Sequence, residues 1–184
     1  MFPNLKYDFR RVYNKTSYKG RLRKIFVVFW SQGFQAIAGY RMCHWLVAKH
    51  IPIIHMLIQR FVEILTGISI PPTAQLGKGI MIEHFGGIVI NSGTKIGDFC
   101  TISHEVTFGN KRPGGKAPIV GNNVYICVGA KVLGDITVGD NCIIGANSVL
   151  TESVPANSVV AGIPARVIKT FHDKSEYKEF FYEQ

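Results

Sequence analysis

Aliphatic residues recur at every sixth position between Ile70 and Val154, with one two-residue shift and one longer interruption. The repeated positions are Ile70, Leu76, Ile82, Ile90, Ile96, Ile102, Phe108, Val120, Ile126, Val132, Val138, Ile144 and Leu150. A period of six fits neither an α-helix nor a simple strand ladder, but it is typical of β-helix solenoids. Equivalent positions of successive coils stack into columns in such a fold. The pattern therefore predicts a mainly β fold and indicates which distant residues meet.

Two apolar stretches precede the repeat. Residues 22–49 and 52–66 are rich in Phe, Ile, Leu, Val and Trp and are separated near Pro52, so we predict two helices. Within the repeat, the stretch GNKRPGGKAP indicates a loop extruded from the coil. In the tail, Asp173 and Glu176 have capping-box spacing, which indicates the start of a short helix. The predicted division is a helical segment over 1–67, a solenoid over 68–170 with its loop at 109–118, and a tail over 171–184.

The register of the repeat places two histidines in one column. Three hexads make one triangular coil of about 18 residues in this type of solenoid, so residues two places beyond the start of each third hexad align. The predicted column contains His84, His104, Val128 and Ala146, and the two-residue shift is assigned to the stretch from Ile88 to Ile90. Rungs of a β-ladder lie about 4.8 Å apart, so the two imidazoles would be neighbours.

Two neighbouring imidazoles at one end of a column favour catalysis. The unperturbed pKa of histidine lies near neutrality, so an imidazole can take a proton from an attacking hydroxyl. We interpret His84 and His104 as candidate catalytic residues at the end of a groove for an extended chain, lined further on by Val128 and Ala146. The alternatives are surface rungs in a non-catalytic scaffold, or a metal site. A metal site needs three protein ligands, and the repeat holds only two histidines, so we expect no metal.

The charge of the chain is concentrated at its N-terminus. The formal net charge is +9, and residues 1–24 supply +7 of it, because eight Lys and Arg residues stand against Asp8 alone. A basic arm beside an apolar segment suits an anionic membrane surface, so peripheral contact with a membrane is one expectation and a solvated terminus is the other. Nucleic acid is not expected as a partner, because the repeat offers no basic face or aromatic platform.

Several features favour a cytoplasmic location. The uncharged stretch from Ile25 to Tyr40 contains Ser31, Gln32 and Gln35 and falls short of the roughly 20 apolar residues that span a membrane. The N-terminal region lacks the pattern of a signal peptide. The four cysteines show no CxxC spacing, so we predict buried free thiols in a reducing compartment.

Three runs of sequence resemble the serine O-acetyltransferase family of hexapeptide-repeat acyltransferases. They are GKGIMIEHFGGIVINSGTKIGDFCTISHEVTFGN, GAKVLGDITVGDNCIIGANSVL and SVVAGIPARVI, and the resemblance covers about residues 40–169. It implies a left-handed parallel β-helix, homotrimers with active sites between subunits, and acetyl-CoA as donor. His84 matches the family's general base. Val128 and Ala146 match positions that contact the pantetheine arm. Gly109 and Arg166 match other positions of the CoA site less specifically.

The departures from this family pattern change the predicted acceptor. Serine acetyltransferases carry an aspartate and a histidine just before the solenoid, where this chain has Ser69-Ile70-Pro71-Pro72, and Ala117 replaces a second family histidine. The presence of His104 beside His84 is more similar to acetyltransferases of colanic-acid and other exopolysaccharide or capsule pathways. The sequence therefore predicts acetylation of a sugar hydroxyl, on a polysaccharide or a lipid-linked oligosaccharide. Serine O-acetylation in cysteine biosynthesis is the alternative.

Overall fold

The computed structural model describes residues 4–51, 53–172 and 176–177, in which four helices precede a parallel β-solenoid. The helices are α1 (Leu5–Lys15), α2 (Arg21–Trp30), α3 (Gln32–Ala48) and α4 (Ile54–Thr66). The strands are β1 (Ile68–Ser69), β2 (Gln75–Leu76), β3 (Met81–Ile82), β4 (Ile88–Ile90), β5 (Lys95–Ile96), β6 (Thr101–Ile102), β7 (Thr107–Gly109), β8 (Ile119–Val120), β9 (Tyr125–Ile126), β10 (Lys131–Leu133), β11 (Thr137–Val138), β12 (Ile143–Ile144), β13 (Val149–Leu150), β14 (Ser158–Gly162) and β15 (Ala165–Thr170).

From β1 to β13, every third strand belongs to the same sheet, so the chain winds around three faces. The first face has the order β1-β4-β7-β10-β13, the second β2-β5-β8-β11, and the third β3-β6-β9-β12-β14-β15. All pairings are parallel except that of β14 with β15, which closes the C-terminal end as an antiparallel hairpin. The prediction of a parallel β-helix behind a small helical segment is confirmed.

The repeated aliphatic residues form the interior of the coil. Ile102, Ile126 and Ile144 occupy successive rungs of the third face and are fully buried. Corner positions take smaller side chains, among them the buried free thiols of Cys100 and Cys142. The core is thus one continuous apolar column along the coil axis, to which each hexad contributes one rung.

A second column consists of glycines at the corner that follows the second face. Gly77, Gly97, Gly121 and Gly139 stack upon one another. A Cβ atom on Gly121 would lie 2.3 Å from Asp140 Oδ1 and 3.0 Å from the carbonyl carbon of Gly139. Successive coils approach so closely at this corner that only a residue without a side chain fits.

The helical segment differs from the sequence prediction. The single helix predicted over 22–49 is two helices, because Ser31 has an extended conformation (φ −68°, ψ 118°) and caps α3 by accepting a hydrogen bond from the Phe34 N–H. Helix α1 was not predicted, and α4 lies within the predicted range 52–66, although Pro52 itself is outside the described residues.

The predicted helix in the tail lies mostly outside the described residues as well. The described part shows Glu176 Oε2 accepting a hydrogen bond from the His172 N–H at 2.8 Å. The side chain of Glu176 also forms an ion pair with Lys169.

Polar side chains attach the helices to the free edge of the first coil. The Tyr40 hydroxyl donates to the carbonyl of Ala74 at 2.8 Å and accepts from the N–H of Leu76 at 3.2 Å. Arg41 donates to the carbonyls of Leu76, at 2.7 Å, and Gly77. Strand β2 has a partner on one side only, so α3 satisfies backbone groups that a preceding coil would otherwise have paired.

Helix α1 completes this attachment through a buried ion pair. Asp8 is fully buried, accepts from Arg41 Nε at 3.1 Å and accepts from the N–H of Ile80 at 2.8 Å. Burial raises the pKa of Asp8, while the guanidinium of Arg41 and the hydrogen bonds oppose that rise. One turn further on, Arg11 donates to the carbonyl of Gly79 at 2.6 Å. The face of α1 that meets the solenoid is therefore polar.

Candidate functional site

The two histidines meet at a turn that contains two extra residues. Strands β3 and β6 pair with an offset of 20 residues (Ile82 with Ile102), whereas β4 and β7 pair with an offset of 18 (Val89 with Thr107). The extra residues must lie between these strands. The shift assigned to Ile88–Ile90 is therefore wrong, since Ile88–Ile90 already forms the regular strand β4.

Backbone hydrogen bonds locate the insertion at residues 84 and 85. In the regular turns, the N–H of Gly129 donates to the carbonyl of His104, and the N–H of Asn147 donates to that of Val128. In the first coil, the N–H of Glu105 donates to the carbonyl of Gly86, at 3.1 Å. Gly86 thus takes the backbone position that corresponds to His104, and His84 is part of the inserted residues.

The insertion presents His84 to solvent and against His104. His84 has a positive φ of 64°, an uncommon conformation for a residue with a side chain. Its imidazole lies edge-on to that of His104, with ring centroids 5.4 Å apart and an interplanar angle of 84°. The two imidazoles meet as the column argument predicts, but through the bulged turn and not through equal rungs.

The environments of the two imidazoles differ. His84 is exposed, and His104 is half-buried. The Nδ1 atom of His104 is buried and has no hydrogen-bond partner among the described residues. A buried polar atom without a partner costs about 1–3 kcal/mol, so this nitrogen is available to a ligand or to a neighbouring donor.

Val128 and Ala146 continue the column beyond His104. The chain of turn hydrogen bonds that links His104 to Gly129 and Val128 to Asn147 shows this alignment. Val128 is half-buried and Ala146 is exposed, so the strip beside the histidines is lined by small and aliphatic groups. This strip is apolar and carries no charged side chain at these two positions.

Gly109 and Arg166 lie away from the His84 turn. Gly109 ends β7 on another face, where its carbonyl accepts from the N–H of Gly134 at 2.9 Å. Arg166 is on β15, with four strands between it and β3, which is roughly 24 Å at about 4.8 Å per rung. It pairs with Glu152 at 3.3 Å. Within one chain, neither residue joins the histidines.

The segment after Gly109 follows the next coil. Residues 110–118 connect β7 with β8, and Lys116 pairs with Asp135 at 3.1 Å, although both side chains are largely exposed. A Cβ atom on Gly134 would lie 3.2 Å from that of Lys111. The connection therefore lies along the turn between β10 and β11.

Glu83 is anchored by contacts that the sequence analysis missed. Its carboxylate accepts hydrogen bonds from the Lys15 ammonium and from the Tyr125 hydroxyl, the latter at 2.6 Å. Burial alone would raise the pKa of Glu83, but these hydrogen bonds and the positive charge of Lys15 hold it below its ordinary value. Burial and the neighbouring carboxylate raise the pKa of Tyr125 to about 12. The residue before His84 is thus held by α1 and by β9.

The positions that depart from the family pattern also have partners. The Ser69 hydroxyl donates to Glu63 Oε1 at 2.8 Å, so α4 brings a carboxylate to the position judged to lack one. Gly67, just before β1, lies against the inserted turn, since a Cβ atom there would be 3.1 Å from the Cα of Gly86. Ala117 is a buried packing residue beside Gly93.

Titratable side chains do not form a metal cluster in the described part of the chain. No group of three or more His, Cys, Asp and Glu residues is close enough there to hold a metal ion. The helices described here are also too short or too polar for any of them to cross a membrane.

Comparison with known proteins decides the family. Residues 117–152 match the model of the bacterial transferase hexapeptide (six repeats). The chain is 40% identical over 170 residues to the serine acetyltransferase of Synechococcus elongatus, which covers 91% of this chain and 69% of that relative. This chain belongs to the serine acetyltransferase family. It is an acyltransferase that uses acetyl-CoA as its donor.

Solved structures agree with this membership. Serine acetyltransferase from Brucella abortus superposes with a TM-score of 0.83 at 34% identity, over 90% of this chain and 68% of that one. Its complex with coenzyme A superposes with a TM-score of 0.82 at 32% identity, over 91% and 67%. The chain spans about two thirds of the length of these relatives.

The comparisons overturn the predicted acceptor. We predicted acetylation of a polysaccharide or lipid-linked sugar, and a resemblance to colanic-acid and capsule acetyltransferases. The relatives at about 40% identity are serine acetyltransferases, so that prediction is wrong. Its premise was that an aspartate and a histidine are missing around Ser69 and Pro71 and that Ala117 replaces a second histidine. The Ser69–Glu63 hydrogen bond brings a carboxylate to Ser69, whereas Pro71 and Ala117 supply no imidazole.

Proposed function

We propose that this chain transfers the acetyl group of acetyl-CoA to the hydroxyl of L-serine, with His84 as general base. The observation that carries the proposal is the exposed His84 imidazole, held against His104 at the end of the strip formed by Val128 and Ala146. The choice of serine is supported by the names of relatives that are about 40% identical to this chain over the aligned residues. A cytoplasmic location agrees with the four free thiols.

His84 takes the proton of the acceptor hydroxyl in this proposal. Because the inserted turn leaves its imidazole exposed, a small acceptor can approach a ring nitrogen to within hydrogen-bond distance. His104 restricts the orientation of that ring through the edge-on contact. Its unpartnered Nδ1 atom can exchange a hydrogen bond with the bound acceptor or with His84.

Glu83 and its partners position the base. Glu83 precedes the inserted residues, and its N–H donates to the carbonyl of Ile102, so the turn is fixed to the coil at that point. The hydrogen bonds from Lys15 and Tyr125 fix the side chain as well. On the other side, the carbonyl of Gly86 accepts from Glu105. The turn is thus anchored at both ends, which limits the positions that His84 can take.

Acetyl-CoA supplies an acetyl thioester when it is bound. The column of Val128 and Ala146 would receive its extended arm, because small side chains and turn carbonyls leave this strip open. Arg166 lies about five rungs from the His84 turn in the same chain, and Gly109 lies on another face of the solenoid. A homotrimer would bring residues of a neighbouring subunit to this site, and the exposed side chains of Phe85 and Val89 are apolar surface near the turn that such a contact would cover.

The activity test measures thiol release from acetyl-CoA in the presence of L-serine. We expect His84→Ala to lower kcat by about 10²-fold to 10⁴-fold, since general-base catalysis contributes that much. His50→Ala, which changes an exposed residue at the end of α3, is the matched control and should keep full activity. Calorimetric titration with CoA should give the same affinity for the His84→Ala variant and the unchanged protein.

Three results would contradict the proposal. In the first, the unchanged protein binds CoA but leaves L-serine unmodified. In the second, the His84→Ala variant remains fully active. In the third, light scattering shows a monomer at concentrations where the enzyme is active. The first result rejects the acceptor, the second the base and the third the trimer.

A further inference from the structure

Helix α2 carries a stripe of large apolar side chains that are mostly exposed. The stripe consists of Leu22, Phe26, Phe29 and Trp30, whose exposed fractions are 83%, 64%, 59% and 73%. Their spacing of four, seven and eight residues places them on one helix face. The rings of Phe26 and Trp30 stack with centroids 5.6 Å apart. We call these four residues the α2 stripe.

Only positive charge surrounds the α2 stripe. Arg21 and Arg23 are exposed and lie on opposite edges of it, since neighbouring helical residues are about 100° apart. The chain has no acidic residue between Asp8 and Glu63, although this interval contains ten Lys and Arg residues. Arg11 and Arg41 point inward and bind the solenoid. Lys15 and Arg60 form ion pairs with Glu83 and Glu63. The remaining six make the surface of the helical segment basic.

A cleft next to the α2 stripe is also lined by apolar and positively charged side chains. It measures about 920 Å³ and lies between α1, α2 and α3. Phe9, Ile25 and Phe34 contribute apolar lining, and Arg21 contributes positive charge. Phe29 belongs both to the cleft and to the stripe, so the two form one apolar surface. Lys6 and Arg10 also line the cleft, so its charged residues are all cationic.

We propose that the α2 stripe docks on the surface of an anionic lipid bilayer. Helices that lie in the membrane interface combine aromatic and aliphatic residues on one face with Lys and Arg beside them, and each cation near the surface strengthens binding to anionic lipid. Trp is favoured at the boundary between hydrocarbon and headgroups. The stripe would enter the interface, and the arginines on its edges would meet lipid phosphates.

Helix α4 offers an internal contrast. It also exposes large apolar side chains, among them Phe61 at 66% and Ile64 at 78%. Its charged residues are Arg60 and Glu63, which form an ion pair, so α4 lacks the flanking excess of positive charge. Lipid docking predicts that α2 and not α4 governs the interaction with anionic membranes.

The test is sedimentation of the full chain with vesicles of phosphatidylglycerol and phosphatidylcholine, compared with vesicles of phosphatidylcholine alone. We expect binding to the anionic vesicles that weakens in 1 M salt, where the Debye length falls to about 3 Å. The double variant Phe26→Ser/Trp30→Ser should lower the partition coefficient at least about tenfold, because it removes two anchoring rings. The matched control Phe61→Ser/Ile64→Ser should bind like the unchanged protein.

Separate measurements distinguish the outcomes. Circular dichroism and acetyl transfer without vesicles should be unchanged in both double variants, since the α2 stripe takes no part in the site. Arg21→Gln/Arg23→Gln should weaken binding to anionic vesicles and leave the fold intact. Equal binding to neutral and anionic vesicles, absence of binding, or an oligomer that dissociates when the α2 stripe is changed would overturn the proposal. The last result would identify the stripe as a contact between copies of the chain.

Discussion

The solenoid and the helical segment are stabilised in different ways. Each coil of the solenoid buries the same kind of aliphatic side chain on the same rung and pairs its backbone with the next coil. The helices add Ala36 and Ile37 to this core. They also bind the first coil through polar side chains that occur once each, including Tyr40, Arg41 and Asp8. In the middle of the solenoid, the backbone groups of each coil pair with those of the next coil. At the first coil, the non-repeating side chains of the helical segment, which we call the cap, pair with the free backbone groups.

The difference predicts where a single substitution has the greatest effect. An inward aliphatic residue has equivalent neighbours on the rungs above and below, so a smaller aliphatic residue leaves only a small cavity. The buried carboxylate of Asp8 has one partner of opposite charge, Arg41, and removal of that partner leaves the charge buried and uncompensated. The cap should therefore be the more sensitive region per substitution.

Arg41→Met should give the largest loss of stability. The change leaves the Asp8 carboxylate buried beside α3 without its cation, and breaking a buried ion pair in this way costs about 3–5 kcal/mol. Urea unfolding followed by circular dichroism measures the loss. Arg10→Met, an exposed residue of α1, is the control and should change the free energy of unfolding by no more than about 0.5 kcal/mol. A loss of less than about 1 kcal/mol for Arg41→Met would show that the cap does not depend on this pair.

Gly121→Ala tests the solenoid itself and should have an intermediate effect. The new methyl group would lie 2.3 Å from Asp140 Oδ1 and 3.0 Å from the Gly139 carbonyl carbon, so neighbouring coils must separate. Overpacking of this kind costs about 1–3 kcal/mol, measured as a lower thermal midpoint. At Gly93, the nearest atom to an added Cβ is 3.4 Å away, so Gly93→Ala should be tolerated. Equal effects of both changes would refute the role of the glycine column.

Lys15→Met should have the smallest effect on stability, at most about 1 kcal/mol near neutral pH, because the Lys15 side chain is 59% exposed. Its contribution depends on pH through Glu83, whose folded pKa lies below the ordinary 4.5. A lowered pKa stabilises the fold above the unfolded value, and this stabilisation is lost as the pH falls through the folded pKa. The difference between the unchanged protein and Lys15→Met should therefore be constant above about pH 5 and disappear in acid.

Lys19→Met removes an exposed charge four residues further along and is the control for this comparison. It should show no such dependence on pH. If the stability difference between Lys15→Met and the unchanged protein were also independent of pH, the contact of Lys15 with Glu83 would not stabilise the attachment of α1 to the solenoid.

The regular part of the molecule could be predicted because its physical rule is local and repeated. The six-residue period predicted the strands, and the register predicted that Ile82, Ile102, Ile126 and Ile144 align, as the strand pairs show. The same register indicated the meeting of His84 and His104.

The parts that could not be predicted depend on single contacts or small irregularities. The two-residue insertion is ambiguous in the sequence, because Ile88 and Ile90 can both continue the aliphatic series. The hydrogen bonds of Glu83 with Lys15 and of Ser69 with Glu63 join residues of different elements, and no periodicity marks them. Without the second contact, the sequence indicates no acid near Ser69, which was one of the reasons for the wrong acceptor.

The attachment of α1 also has a consequence for the order in which the chain is made. Asp8 is bound by the N–H of Ile80, a residue 72 positions later in the chain. A ribosome that has released only the helices has not yet produced the edge to which they bind. Until the first coil has left the ribosome exit tunnel, the buried carboxylate has no backbone partner, so the beginning of this protein completes its structure only after its middle has been synthesised.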